Sequence, residues 1–189
     1  LNPHFIFNAL SSIQGLINRN DIDGANRYLS AFGSLVRNSL TDVERNFIPL
    51  SREIAALDTY FSLEQLRFGF RYSIEVSDRI SPDTIEVPTL LLQPLVENAV
   101  KHGVSGLREN GLIRLIAARS EGDLLLRVTD NGPGFPAEGQ ASQGYGLKLT
   151  ADRIKLLNEM NDERQIELRA GSPSGQGAEV ELLFKNWLL

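Results

Sequence analysis

The sequence contains no cysteine, a single tryptophan and only two histidines, His4 and His102. The lack of cysteine excludes a disulfide framework and thiolate-based metal sites, and it fits a reducing compartment such as the cytoplasm. Because histidine is so scarce, any chemistry that depends on an imidazole must use one of these two residues.

Long apolar runs are also missing, since the longest is a few residues around positions 90–92. A membrane-spanning helix needs about 20 such residues. The chain opens with Leu1 in the middle of a motif. We therefore expect a fragment whose N-terminal neighbour has been removed, and any membrane anchor would lie upstream.

Basic clusters are absent as well, and 19 Lys and Arg residues are outnumbered by 24 Asp and Glu, which gives a net charge of −5. Nucleic acids and anionic membranes are bound by surfaces rich in lysine and arginine. The composition therefore disfavours a nucleic-acid partner and favours a protein or a small ligand.

The first 48 residues predict a helical hairpin, because apolar residues recur at helical spacing up to about residue 40. A polar turn at residues 18–21 separates the two helices, and Asp21 is placed to cap the second one. Two such helices cannot bury their apolar stripes alone, whereas a four-helix bundle formed with a second copy can. We therefore expect a homodimer.

Residues 49–189 predict one compact α+β domain, in which helices cover one face of a mixed, mainly antiparallel sheet. Its first helix is expected to be capped by Ser51 and to run to Phe68, and a later helix at residues 88–104 is expected to begin after a lead-in turn at Pro94. The other expected elements are strands at 72–76, 112–119, 124–130, 165–170 and 178–184 and a helix at 147–160. Residues 131–146, rich in glycine, are expected to form a lid.

His4 follows Pro3, which favours a helix start, and Asn8 lies four residues on, so both side chains share a helix face. A neutral imidazole offers a nitrogen lone pair, which phosphoryl transfer can use as its nucleophile. Asn8 could then orient a water molecule or the phosphoryl group. Taken alone, His4 is better interpreted as a solvated residue near a helix start.

Glu97, Asn98, Lys101 and His102 form one polar patch on the helix at 88–104. Carboxylate and amide oxygens suit Mg²⁺, and a cation suits phosphate oxygens, so the patch predicts a site for a metal-bound polyphosphate. An ordinary solvated helix face explains the spacing equally well.

Two glycine-rich strings flank the expected lid. Asp130 ends a strand and can accept a hydrogen bond from the amino group of a flat base, while Gly132 and Gly134 allow close backbone approach. An ordinary turn is the alternative. At the other end, Gly144, Gly146 and Leu147 begin a helix, and free N–H groups at a helix start favour phosphate.

These strings, in this order, resemble the LytS-type (LytS/YehU) family of sensor histidine kinases, whose ATP-binding half belongs to the GHKL superfamily. The strings that carry the resemblance are residues 1–8, 60–68, 92–103, 130–134, 144–148 and 175–178. The resemblance implies that His4 is phosphorylated, that Asn98 is a Mg²⁺ ligand with Glu97 as a catalytic polar group beside it, and that Asp130 holds the adenine amino group. It also implies phosphate contacts at Gly144 and Gly146.

The function implied by the resemblance is Mg-ATP-dependent autophosphorylation on His4, followed by transfer to an aspartate of a response-regulator receiver domain, on the cytoplasmic side of a bacterial inner membrane. The chain departs from the family pattern at Leu149, where asparagine is frequent, and at Phe5, where many other histidine kinases carry an acid. Two alternatives stay open, a phosphatase that uses Asn8 and a non-catalytic ATP-sensing dimerisation module.

Overall fold

The chain begins with a hairpin of two helices, α1 (Pro3–Asn18) and α2 (Ile22–Val43). Asp21 caps α2, because its Oδ1 accepts the N–H of Gly24 at 2.9 Å. The hairpin and its cap are as predicted. In the computed structural model, residues 3–43, 45–135, 145–161, 163–172 and 176–188 are described, with the backbone alone for Pro3, His4, Asp42, Val43 and Tyr145.

A short strand, β1 (Phe47–Pro49), leads directly into α3 (Leu50–Phe68). The prediction that Ser51 caps this helix is wrong, because α3 begins at Leu50 and no side chain caps it. Backbone carbonyls from a distant loop take over that role: Leu50 donates to Ile85 and Ser51 donates to Pro82. The helix ends as expected at Gly69, whose φ of 78° is easily reached without a side chain.

A five-stranded sheet forms the centre of the rest of the chain. Its strands are β2 (Arg71–Val76), β4 (Leu112–Ser120), β5 (Asp123–Asp130), β6 (Ile166–Gly171) and β7 (Ala178–Phe184), in the spatial order β2-β4-β5-β7-β6. The β2–β4 pair is parallel and the other three pairs are antiparallel. The predicted α+β class and the mixed, mainly antiparallel sheet are therefore confirmed.

A second sheet of two strands was not predicted. In it β1 pairs antiparallel with β3 (Glu86–Pro88), so that Ile48 lies opposite Val87. Three residues are too few to show an alternating pattern, which explains why sequence periodicity could not reveal either strand. The pairing joins the segment after the hairpin to the loop that precedes the next helix.

The helix predicted at 88–104 is shorter and differently wound. It begins as α4 (Gln93–Asn98), with Pro94 in its first turn, and residues 89–92 form a turn before it, so the predicted lead-in turn is confirmed. Proline is tolerated there because the first N–H groups of a helix have no partner within the helix. From Ala99 the chain continues as a π-helical turn (Ala99–Val104), in which Ser105 N–H donates to the carbonyl of Val100.

The last long helix, α5 (Tyr145–Glu159), packs against α4 and β6. Buried side chains from α4, the π-helical turn and the sheet form one core, to which the hairpin is joined through α3. Among the described helices, none combines the length and the apolar character required to cross a membrane.

Candidate nucleotide site

Asp130 lies at the end of β5 and is half-buried. Its Oδ1 accepts the N–H of Gly132 at 2.9 Å and the N–H of Ala178 at 3.4 Å. Burial raises the pKa of the carboxyl group, while these two donors act in the opposite direction. No described residue donates a hydrogen bond to Oδ2, so this oxygen can accept one from a ligand.

Three glycines enclose Asp130 at distances that no side chain would allow. A Cβ on Gly103 would lie 2.5 Å from the Cγ of Asp130, and a Cβ on Gly132 would collide with the carbonyl oxygen of Gly103. Gly177, with a φ of 76°, lies against the carbonyl oxygen of Asp130 and donates its N–H to Gly132 at 2.8 Å. The end of β5, the π-helical turn and the start of β7 therefore meet around one carboxylate.

Gly103 and Gly177 lie within the motif strings at 92–103 and 175–178, but no role was predicted for either. Their close contacts join residues far apart in the chain, so only their membership of glycine-containing strings could have pointed to them.

Gly134, which was predicted, has a φ of 79° and lies against Ser172, whose Oγ accepts the N–H of Phe135 at 2.9 Å. The first part of the expected lid is thus fixed to the end of β6.

Asn131, beside Asp130, has a structural role. Its Oδ1 accepts the N–H of Leu112 and its Nδ2 donates to the carbonyl of Asn110, both at 2.7 Å. These bonds hold the end of β5 against the start of β4. They keep the backbone that carries Asp130 in a single position.

Asn98 lies beside the start of α5. A Cβ on Gly146 would be 3.5 Å from both Oδ1 and Nδ2 of Asn98 and 3.4 Å from the carbonyl of Pro94. Leu147, only 4% exposed, anchors this first turn in the core. The structure therefore brings the predicted residues Asn98, Gly146 and Leu147 together, whereas Gly144 and the lid residues 136–144 lie outside the described part of the chain.

Glu97 is half-buried, and its Oε1 accepts a hydrogen bond from Gln93 Nε2 at 3.2 Å. Burial and then the charges of Glu64 and Glu97 raise the pKa of Tyr60 on α3, so these groups share one neighbourhood. Lys101 and His102 are exposed on the π-helical turn, where neither side chain makes a hydrogen bond or ion pair with another described residue.

The start of the hairpin packs against α3 at Tyr60. The ring centroids of Phe5 and Tyr60 lie 5.1 Å apart, and those of Phe5 and Phe32 lie 5.9 Å apart. Phe5 is 5% exposed, so an acidic residue at this position would be buried at a high cost. His4 directly precedes Phe5 in α1, but its side chain lies outside the described part of the structure, and Asn8 follows half-buried one turn later.

A Mg²⁺-nucleotide fits the residues present. No group of three His, Cys, Asp or Glu side chains that could hold a metal occurs among the described residues. Mg²⁺ bound with a nucleotide does not require such a group, because phosphates and waters supply most of its ligands. The amide oxygen of Asn98, beside the start of α5, is a suitable hard ligand.

Two family models match the chain. The first, Histidine kinase, matches residues 1–72, and the second, Histidine kinase-, DNA gyrase B-, and HSP90-like ATPase, matches residues 83–187, more than half of the chain. The chain belongs to this second family of ATPases. The predicted GHKL-type fold is thereby confirmed.

Its curated relatives are sensor histidine kinases. The chain is 34% identical over 138 residues to the sensor protein LytS of Bacillus subtilis, covering 73% of this chain and 23% of LytS. It is 32% identical over 155 residues to the sensor histidine kinase BtsS of Escherichia coli, covering 82% of this chain and 27% of BtsS. The predicted resemblance to LytS-type kinases is confirmed, and the chain spans about a quarter of the length of these relatives.

Solved structures agree on the fold. The histidine kinase domain of the Erythrobacter litoralis EL346 blue-light activated kinase superposes with a TM-score of 0.58 at 18% identity, covering 85% of this chain and 74% of that one. The histidine kinase ThkA, solved in complex with the response regulator protein TrrA, superposes with a TM-score of 0.52 at 17% identity, covering 96% of this chain and 58% of that one.

Proposed function

We propose that this chain is the catalytic part of a sensor histidine kinase, which binds Mg-ATP beside Asp130 and transfers the γ-phosphoryl group to His4. The observation that carries the proposal is the enclosure of Asp130 by Gly103, Gly132 and Gly177. It fixes a half-buried carboxylate whose Oδ1 accepts two backbone N–H groups and whose Oδ2 receives no hydrogen bond from any described residue.

The adenine would bind against this enclosure. Oδ2 of Asp130 would accept a hydrogen bond from the exocyclic amino group, while Gly132 and Gly134 allow the backbone to approach the ring. Oδ1 is already held by two backbone donors, which fixes the direction in which Oδ2 points. A carboxylate placed in this way selects a base with an amino group.

The phosphates would lie between α4 and the start of α5. The first N–H groups of α5 near Gly146 and Leu147 would face them, with Gly144 just before the helix. Asn98 would hold Mg²⁺, which neutralises charge on phosphate oxygens when it is bound. Lys101 and His102, exposed on the π-helical turn, would contact the outer phosphate oxygens.

The transfer step needs a nucleophile and a path for the leaving group. The lone pair of a neutral imidazole nitrogen of His4 attacks the γ-phosphorus, the new N–P bond forms, and the bond to the bridging oxygen breaks with its electron pair leaving on ADP. Glu97 is held by Gln93 beside the site and would take the proton that the imidazole releases. Asn8, one helical turn after His4, would orient the phosphoryl group.

The hairpin of residues 1–48 would dimerise with a second copy. Several large apolar side chains remain exposed on it: Ile6, Phe7, Leu10, Ile17, Ile22, Leu29 and Leu40. Positions 6, 10 and 17 follow the spacing of one helix face, which suits a four-helix bundle. Sedimentation of Leu10→Glu against Leu66→Glu, a more exposed site on α3, tests this assembly, and only the first change should produce monomers.

The phosphoryl group would then pass to an aspartate of a receiver domain, on the cytoplasmic side of a bacterial inner membrane. The support for a receiver partner is the resemblance to ThkA, which was solved with a response regulator. The support for the membrane context is the set of sensor kinases among the relatives, most of whose length lies outside this chain.

Labelling with γ-labelled ATP and Mg²⁺ tests the proposed reaction. A phosphohistidine is stable in base and is lost in acid, so the label should show both properties and should be missing in His4→Gln. Label that persists in His4→Gln would exclude His4 as the acceptor. Tight ATP binding without any label would instead support the non-catalytic ATP-sensing alternative.

A further inference from the structure

A second cavity lies at the end of the sheet opposite Asp130. It has a volume of about 450 Å³ and opens where β4 and β7 end and β5 and β6 begin. Its most prominent lining groups are three arginines and one aromatic ring: Arg79, Arg119, Arg164 and Trp187. Volumes in this range are typical of small-molecule sites.

The three arginines come from distant parts of the sequence. Arg79 belongs to the loop after β2, Arg119 to the end of β4, and Arg164 to the segment before β6. All three are exposed, and none forms an ion pair with a described residue, although Glu86 also lines the cavity. Three guanidinium groups and one carboxylate give the cavity a positive balance in a chain whose net charge is −5.

Three other arginines on the same sheet form ion pairs. Arg114 pairs with Glu75 at 2.9 Å, Arg127 pairs with Glu181, and Arg169 pairs with Glu167 at 2.7 Å. These three arginines each have an acidic partner, whereas the three arginines of the cavity have none among the described residues. Three positive side chains that line one cavity make it attractive to an anionic ligand.

Hydrogen bonds and ring contacts hold the wall of the cavity in place. Trp187 Nε1 donates to the carbonyl of Glu86 at 2.6 Å, and its ring packs edge-on against Phe184 at 5.1 Å. The guanidinium carbon of Arg164 lies 5.4 Å from the centre of the Trp187 ring, and Nε of Arg119 donates to the carbonyl of Glu121 at 2.6 Å. Two of the three guanidinium groups are therefore held in place before any ligand arrives.

We propose that this cavity, here called the arginine pocket, binds a small molecule that carries two or more phosphate or carboxylate groups. The planar guanidinium group forms paired hydrogen bonds with such groups, and the polar residues Ser81 and Thr84 line the same cavity. The pocket and Asp130 lie at opposite ends of β5, so both sites can be filled at once. The proposal does not depend on the proposed kinase function.

Calorimetry with citrate and with inorganic pyrophosphate, in buffer free of divalent metals, tests the proposal on the full chain. We expect saturable binding of at least one probe with a stoichiometry of one per chain. Arg119→Gln combined with Arg164→Gln should weaken it by at least about tenfold, the loss that follows removal of a charge-assisted hydrogen bond. Arg19→Gln combined with Arg27→Gln removes the same charge from exposed hairpin positions and should leave the affinity unchanged.

Two further arms of the experiment distinguish binding in the arginine pocket from binding elsewhere on the chain. Excess ADP should not displace the probe, and displacement would place the anion in the nucleotide site and overturn the proposal. Equal binding by the two double variants, or no saturable binding of either probe, would also overturn it. Binding of an oligoglutamate peptide without binding of either small anion would overturn it too, in favour of a docking surface for an acidic protein segment. Circular dichroism confirms that each variant is folded.

Discussion

The rings of Phe5 and Tyr60 lie 5.1 Å apart at an angle of 43°. This contact joins the first turn of α1, which carries His4, to the middle of α3. The pKa of Tyr60 is raised by burial and also by the charge of Glu97, so the same ring lies close to the residue that precedes Asn98. The first turn of α1 is therefore anchored to α3 at a ring that lies within electrostatic range of Glu97.

Replacing Phe5 with alanine should remove this contact and lower the free energy of unfolding. Phe5 is 5% exposed, and removing a buried phenylalanine costs about 3 kcal/mol or more. The measurement is the free energy of unfolding from denaturant titration. Leu66→Ala on α3, where the side chain is 72% exposed, is the control and should change stability by less than about 0.5 kcal/mol. Equal effects of the two changes would show that the contact is not stabilising.

Asp130→Asn should weaken ATP binding. An asparagine can present a donor to the adenine amino group where the carboxylate presents an acceptor, a mismatch that costs about 1–3 kcal/mol. Calorimetric titration with ATP and Mg²⁺ measures the loss. Asp83→Asn makes the same charge change at an exposed loop position and should bind ATP like the unaltered chain. An unchanged affinity in Asp130→Asn would disprove the adenine contact.

The same Asp130→Asn substitution should have a pH-dependent effect on the stability of the nucleotide-free chain. Burial raises the pKa of Asp130 above its ordinary value of 3.8, so the folded state binds this proton more tightly than the unfolded state does. The contribution of this group to the free energy of unfolding therefore falls as pH rises from its ordinary pKa through its folded pKa. Asparagine does not titrate, and its Oδ1 can still accept both backbone hydrogen bonds.

The stability of Asp130→Asn relative to the unaltered chain should thus increase as pH rises from the ordinary pKa of 3.8 through the raised pKa of the folded state. Thermal or denaturant unfolding at several pH values measures this difference, with Asp83→Asn as the reference. A difference that is constant across this range, or that decreases with pH, would contradict the effect of burial on Asp130.

Gly132→Ala should disturb the enclosure of Asp130. The added Cβ would collide with the carbonyl oxygen of Gly103, so either the π-helical turn or the end of β5 must move. We expect a stability loss of more than about 1 kcal/mol together with weaker ATP binding. Gly106→Ala is the control, since nothing lies within 4 Å of a Cβ at that position. Normal ATP affinity in Gly132→Ala would show that close packing at this glycine does not matter for the nucleotide.

The sequence predicts the elements whose side chains carry a regular pattern. The hairpin helices and the five strands of the large sheet follow from apolar spacing, and Asp21 follows from the chemistry of helix caps. The features that were missed depend on contacts between distant residues. Ser51 is not a cap because the carbonyls of Ile85 and Pro82 accept the first N–H groups of the helix. The π-helical winding of residues 99–104 depends on an i+5 hydrogen bond, which the spacing of apolar residues does not reveal.

In the candidate site, too, the sequence predicts residues that stand in motifs but not those whose roles depend on contacts between distant residues. Asp130 and Asn98 could be selected because each stands in a motif whose residue types suit a nucleotide. The roles of Gly103 and Gly177 could not, because they arise from the close approach of three segments that are far apart in the chain. Phe5 is a departure from the pattern of many histidine kinases in sequence, and its burial against Tyr60 supplies the physical reason.

The central claim is that ATP held beside Asp130 phosphorylates His4, and the presence of only two histidines makes the test direct. After incubation with Mg-ATP at alkaline pH, mass spectrometry of the intact chain and of its peptides should show one added phosphoryl group, located on His4. The phosphoryl group should persist in His102→Gln and be missing in His4→Gln. A phosphoryl group on any residue other than His4, or its persistence in His4→Gln, would contradict the account.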